Sequence, residues 1–162
     1  MVENVYINEI QSFRWLALVP GLVTLLFAVL CYFQIVLKKQ VGNRPAPSWL
    51  LVVFFLFTAT VTAMLGLQKL TLSITNKAVY INFGVFASKQ VIPLTDIKSI
   101  AVRKYNGPGE FSGWGVKSNA HEQSYTVSGD EGVEIILKNG KMILVGTQKP
   151  KEMQRVINQY FY

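Results

Sequence analysis

Hydrophobic and polar positions change their rhythm twice along this chain. Trp15 to Leu37 and Trp49 to Leu67 are uncharged apolar runs of 23 and 19 residues. At a rise of about 1.5 Å per residue they predict helices of roughly 34 and 28 Å, long enough for a hydrocarbon core of about 30 Å. Only Thr24, Gln34, Thr58, Thr60 and Thr62 break the apolar pattern with polar groups that bond within a helix or bundle. The loop from Lys38 to Ser48 carries Gly42, Pro45 and Pro47, so the runs form an antiparallel hairpin. Before them, residues 1–14 place Tyr6, Ile10 and Phe13 at helical spacing, which predicts an interfacial segment or an extension of the first helix.

From Leu70 the period becomes two. Leu70, Leu72 and Ile74 alternate with Thr71, Ser73 and Thr75, a turn follows at Asn76-Lys77, and Val79, Ile81 and Phe83 resume the alternation. Val85 to Ile92 and Ile97 to Tyr105 predict a third and a fourth strand, and Tyr125 to Val127 a short one. Gly132 to Lys138 and Lys141 to Thr147 predict a hairpin whose Asn139-Gly140 turn fits the two-residue type I′ form. Pro150 then opens a helix with an apolar stripe at Met153, Val156, Ile157, Tyr160 and Phe161. The expectation is an α+β membrane protein. Its transmembrane helices occupy 15–37 and 49–67, joined by a basic loop over 38–48. Residues 70–162 then form an antiparallel sandwich or barrel of about seven strands capped by a C-terminal helix.

Composition sharpens this only in part. The chain is 51% hydrophobic and 15% charged with a net charge of +7, and the apolar excess lies in the two runs. A cleaved leader does not fit the first run: it is preceded by Glu3, Glu9 and a single Arg14, and it is longer than an h-region of about 7–15 residues. Cys31 is the sole cysteine, inside that run, and reads as an inert buried thiol. From Lys69 onward twelve Lys and Arg face seven Asp and Glu, but the cations are scattered with only Arg103 and Lys104 adjacent. That pattern argues against nucleic acid and suits attraction to an anionic bilayer.

Orientation rests on a nearly even charge count. Lys38, Lys39 and Arg44 in the loop oppose Arg14, Lys69 and Lys77 on the other face, which leans the domain outward. A binding module serving cytoplasmic processes leans it inward, and the inward side is the expectation adopted. Gly21, Thr24 and Ala28 on the first helix and Ala59, Ala63 and Gly66 on the second are candidate packing residues.

The β-rich part also carries a resemblance. Phe83-Gly84-Val85-Phe86 precedes Ile92-Pro93-Leu94-Thr95-Asp96-Ile97. Gly113-Trp114-Gly115-Val116 and Tyr125-Thr126-Val127-Ser128-Gly129 follow. Gly132-Val133-Glu134, Leu137-Lys138-Asn139-Gly140 and Gly146-Thr147 with Pro150 complete the series. Over residues 70–158 this order resembles bacterial membrane-anchored pleckstrin-homology-like (PH-like) proteins, in which a preceding helix pair is usual. The resemblance implies a PH-like fold and a bacterial cytoplasmic (inner) membrane location. The polar stretch Asn119 to Ser124 departs from it, since a more apolar segment is expected there.

No catalytic constellation is legible. The β-rich part has one histidine and no cysteine, and His121 adjoins Glu122, so the two cannot share one strand face. A zinc site needs three or four ligands, and Gly113-Trp114-Gly115 lacks the third glycine of a dinucleotide fingerprint. The sequence predicts no enzyme, no cofactor and no metal. The expected role is a binding or scaffold module within a larger membrane complex, with a protein partner or a second copy. The alternative is an anionic-lipid-sensing accessory subunit of a transporter or envelope-stress system. Phe111, Trp114, Lys117 and His121, in the glycine-rich stretch from Asn106 to Gln123, are the candidate partner-binding residues. For Trp114 the competing reading is that it fills one end of the barrel.

Overall fold

The computed structural model describes residues 4–43, 45–85, 87–111, 113–118 and 121–161, with the side chains of Pro108 and Phe111 outside that description. The chain divides into two compact units, a helical one over Ser12–Gln68 and a β-rich one built from the residues up to Gln11 together with Lys69 onward.

In the helical unit, α1 (Leu18–Cys31) runs on into a wider π turn over Tyr32–Val36, and α2 (Ser48–Leu67) returns beside it. Leu37 N donates to Tyr32 O, and Lys39 N reaches back to Phe33 O across Lys38, whose φ is +50°. The chain leaves the π turn through a lysine in the left-handed conformation that glycine usually takes. Gln34 Nε2 donates to Ala46 O at 2.6 Å and to Ser48 Oγ at 3.1 Å, tying the connecting loop to the end of the first helix. At the other end Phe13 N donates to Gln68 O, closing the base of the hairpin.

The helices meet along one stripe each. On α1 the half-covered positions include Gly21, Thr24, Phe27, Ala28 and Cys31; on α2 they include Phe55, Thr58, Ala59, Thr62 and Leu65. Thr24 and Thr62 hydroxyls lie 3.1 Å apart, a Cβ on Gly21 would rest 3.6 Å from Thr62 Cγ2, and the Phe27 and Phe54 rings stack. Ala63, expected on the seam, is exposed, and a Cβ on Gly66 would meet nothing within 4 Å. The seam advances through 55, 58, 62 and 65, a rhythm that leaves position 63 facing away.

The β-rich unit holds two sheets. The leader is not helical: Val5–Ser12 is strand β1, edge of a sheet ordered β1-β2-β3-β4, with β2 (Lys69–Thr75), β3 (Ala78–Asn82) and β4 (Gln90–Pro93). Asn4 exchanges backbone and side-chain bonds with Asn76, and Ser73 Oγ donates to Asn8 Oδ1, so β1 runs antiparallel to β2. Its helical spacing of apolar residues lost to alternation, because Glu9 and Gln11 point inward and find partners there. The expected strand from Val85 shortens to Gln90–Pro93: Gly84 turns the chain at φ +59°, and Val85 is exposed. Pro93 sits on an edge strand, where a missing N–H costs no ladder bond.

The second sheet is ordered β5-β8-β9-β7-β6, with β5 (Ile97–Lys104), β6 (Gly115–Ser118), β7 (Glu122–Thr126), β8 (Glu131–Leu137) and β9 (Met142–Gly146). The described residues thus form nine strands rather than about seven, because β1 and β6 lie outside the stretches whose alternation was read as strand. The sheet is also not wholly antiparallel, since β7 pairs with β9 in parallel, Ser124 opposite Leu144. Strand β9 inserts between β7 and β8, and Val127 to Asp130 cross its end. The β8–β9 turn is not type I′. Gly140 alone takes positive φ, +85°, while Gly140 N donates to Leu137 O and Leu137 N to Lys141 O. This is the three-residue loop with glycine at the left-handed position, which spares Asn139 that conformation.

Leu70, Leu72, Ile74, Val79, Val133, Ile135, Leu144 and Val145 are fully buried. Each contributes roughly 1.5–3 kcal/mol by leaving water. Phe83, just past β3, meets Tyr125 of the second sheet, and Gln90 Nε2 of β4 donates to Gln123 Oε1 of β7. Helix α4 (Pro150–Tyr160) lays Met153 and Ile157 on β5 and β8, and Tyr160 stacks on Tyr6 of β1 at 3.7 Å between ring centroids.

Candidate functional site

The glycine-rich stretch after β5 folds as a strap across the outer face of the second sheet. Tyr105 leaves β5 on that face, and its N–H donates to Asp130 O at 2.7 Å. Its ring lies on bare backbone: a Cβ on Gly132 would come within 3.3 Å of Tyr105 Cε1, and one on Gly146 within 3.2 Å of its hydroxyl. Burial, and then the charge of Asp130, raise the pKa of this phenol.

Asn106 caps the short helix α3 (Gly107–Phe111). Its Oδ1 accepts from Gly109 N, while Glu110 Oε1 accepts from Asn106 N at 2.9 Å, a reciprocal cap. Arg103 of β5 holds that carboxylate through Nη1 at 3.0 Å and bonds Glu134 through Nε. The backbone bond from Asn106, and then Arg103, hold the Glu110 carboxyl below its usual range.

Trp114 completes the strap. Gly113 (φ +113°) and Gly115 (φ +121°) flank it in conformations that side chains resist, and its indole N–H donates to Gly129 O at 3.3 Å. Gly107 is buried against the ring, where a Cβ would sit 3.3 Å from Nε1. The residue is still 39% exposed. The ring therefore lies fixed on the surface rather than filling a barrel end.

The expected site residues separate. Trp114 stands beside Gly115, which pairs with Thr126, at one end of the β6–β7 hairpin. Lys117, opposite Ser124, and exposed His121, whose carbonyl accepts from Met142 N, lie toward the other end. Phe111 ends α3 with its side chain outside the described part. Among the described residues no three His, Cys, Asp or Glu side chains gather as a metal site.

Two features lay outside the sequence reading. Glu9 is buried, accepting from Thr147 Oγ1 at 2.6 Å and Gln148 N at 2.7 Å, while Gln11 Nε2 donates to Gly146 O. The polar outer face of β2 and β3 borders a groove of about 460 Å³ that includes Thr71, Ser73, Tyr80, Asn82 and Lys89. The alternation Thr71-Ser73-Thr75 was its one visible signal. No protein-family model matches this sequence, and no curated protein matches it.

Proposed function

We propose that this protein is a non-catalytic, membrane-anchored binding or scaffold module, a subunit of a larger membrane complex. One observation carries the anchoring: α1 has no buried residue and α2 has only Leu51, although both are apolar throughout. Leu18, Val19, Leu22 and Leu25 are 61–71% exposed. A core helix of a water-soluble protein covers such residues, whereas a bilayer solvates them. The strand before α1 also belongs to the same sheet as the strand after α2, so removing the first helix as a leader would remove β1 with Glu9 and Gln11.

The order of two sheets followed by a C-terminal helix supports a PH-like reading, and the parallel β7–β9 pair departs from it. In this reading the membrane is the bacterial cytoplasmic membrane and the β-rich unit faces the cytoplasm. Trp114 and the neighbouring edge strand β6 are the docking surface, since an exposed indole held by glycines offers apolar area with little left to order. Affinity purification from native membranes tests this. Trp114→Ala should reduce a copurifying protein several-fold while the detergent-extracted chain still melts cooperatively. Unchanged copurification, or loss of the cooperative transition, contradicts the assignment.

A further inference from the structure

We infer that the outer face of the β2–β3 pair is a binding site for an anionic polyol: a phosphoester or carboxylate borne on a hydroxylated carbon skeleton. This site is separate from the Trp114 surface; it rests on the membrane anchoring proposed above and not on a protein partner. Thr71 pairs with Asn82 and Ser73 with Tyr80, and all four face away from the buried Leu70, Leu72, Val79 and Ile81. They form one wall of hydroxyls and an amide beside an aromatic ring. Ser73 Oγ spends its proton on Asn8 Oδ1 at 2.7 Å and so presents lone pairs to a ligand hydroxyl.

Lys89 supplies the charge. Its Nζ stands 5.1 Å from the centre of the Tyr80 ring, a partner that positions an ammonium without neutralising it. No carboxylate lines the groove among the described residues. A volume of about 460 Å³ falls within the range of small-ligand sites, which run about 300–1,000 Å³. The donor set suits a ligand carrying one negative group and adjacent hydroxyls. Thr71 comes four residues after Leu67, the end of α2. The same chemistry is therefore offered by a phosphoglycerol lipid headgroup or by free glycerol phosphate.

Amide NMR of the full chain in nanodiscs separates these sources. One arm adds sn-glycerol 3-phosphate to phosphatidylcholine discs, and the other replaces phosphatidylcholine with phosphatidylglycerol. Shifts centred on Thr71, Ser73 and Asn82 in the first arm identify a free ligand, and in the second a headgroup. In either arm Lys89→Ala should weaken the response about tenfold, Lys89→Arg should retain most of it, and uncharged glycerol should give none. Lys151→Ala, which removes an exposed cation elsewhere, should leave it intact. No localised shift in either arm overturns the inference, as does a response that Lys89→Ala leaves unchanged or that Lys151→Ala weakens equally.

Discussion

Glu9 shows how much a single side chain before the first helix contributes to the sheet after the second. Its buried carboxylate holds the Thr147 hydroxyl and the Gln148 N–H, so Glu9→Ala orphans both. The expected loss is about 2–3 kcal/mol of unfolding free energy, read by denaturant titration of the detergent-solubilised chain. A change within experimental error would show that these bonds do not hold β1. Glu110 behaves differently because it is exposed. Its folded pKa lies below its unfolded value, so its contribution is complete above the ordinary carboxylate range and is lost as pH falls through the depressed folded value. Carboxyl-carbon NMR should find its midpoint below that of a free glutamate, and Arg103→Gln should move it upward; an ordinary midpoint in the unsubstituted protein contradicts the cap. Neither residue was legible as a site beforehand. Glu9 looked like part of a polar leader, and the Arg103–Glu110–Glu134 cluster joins residues whose proximity only the strap and the β5–β8 pairing create.

At the level of elements, unbroken apolar length revealed the two helices, and period revealed the β2–β3 hairpin, the β8–β9 hairpin and α4, because each of these has one face that must leave water. It failed for β1, whose inward positions are polar, and for β6, whose short run Gly115–Ser118 carries little apolar signal. The two-residue turn was also misjudged, since Asn-Gly fits two hairpin geometries and the flanking register selects between them. The pairing of β1 with β2 makes the helical hairpin an insertion at a β-turn. Replacing Phe13 to Gln68 by Asn-Gly should therefore yield a water-soluble, cooperatively unfolding β-rich protein. Residues 70–162 alone lack β1 and should melt at lower temperature or fail to fold. Equal stability of the two forms would mean that β1 is dispensable.

For the whole molecule, the shared sheet requires independently what an antiparallel helical hairpin already implies. Strand β1 and strand β2 lie in one sheet, so the residues before α1 and all those after α2 must occupy the same side of any membrane that the helices cross. The nearly balanced charges flanking the two runs explain why the side itself was hard to read. The most direct measurement is cysteine accessibility in sealed inverted inner-membrane vesicles, using Cys31→Ser with single cysteines placed at Asn4, Asn43 or Asp130. An impermeant maleimide should label Asn4→Cys and Asp130→Cys but reach Asn43→Cys only after the vesicles are opened. Labelling of Asn4→Cys and Asp130→Cys from opposite sides, or recovery of the chain in the soluble fraction, would contradict this topology.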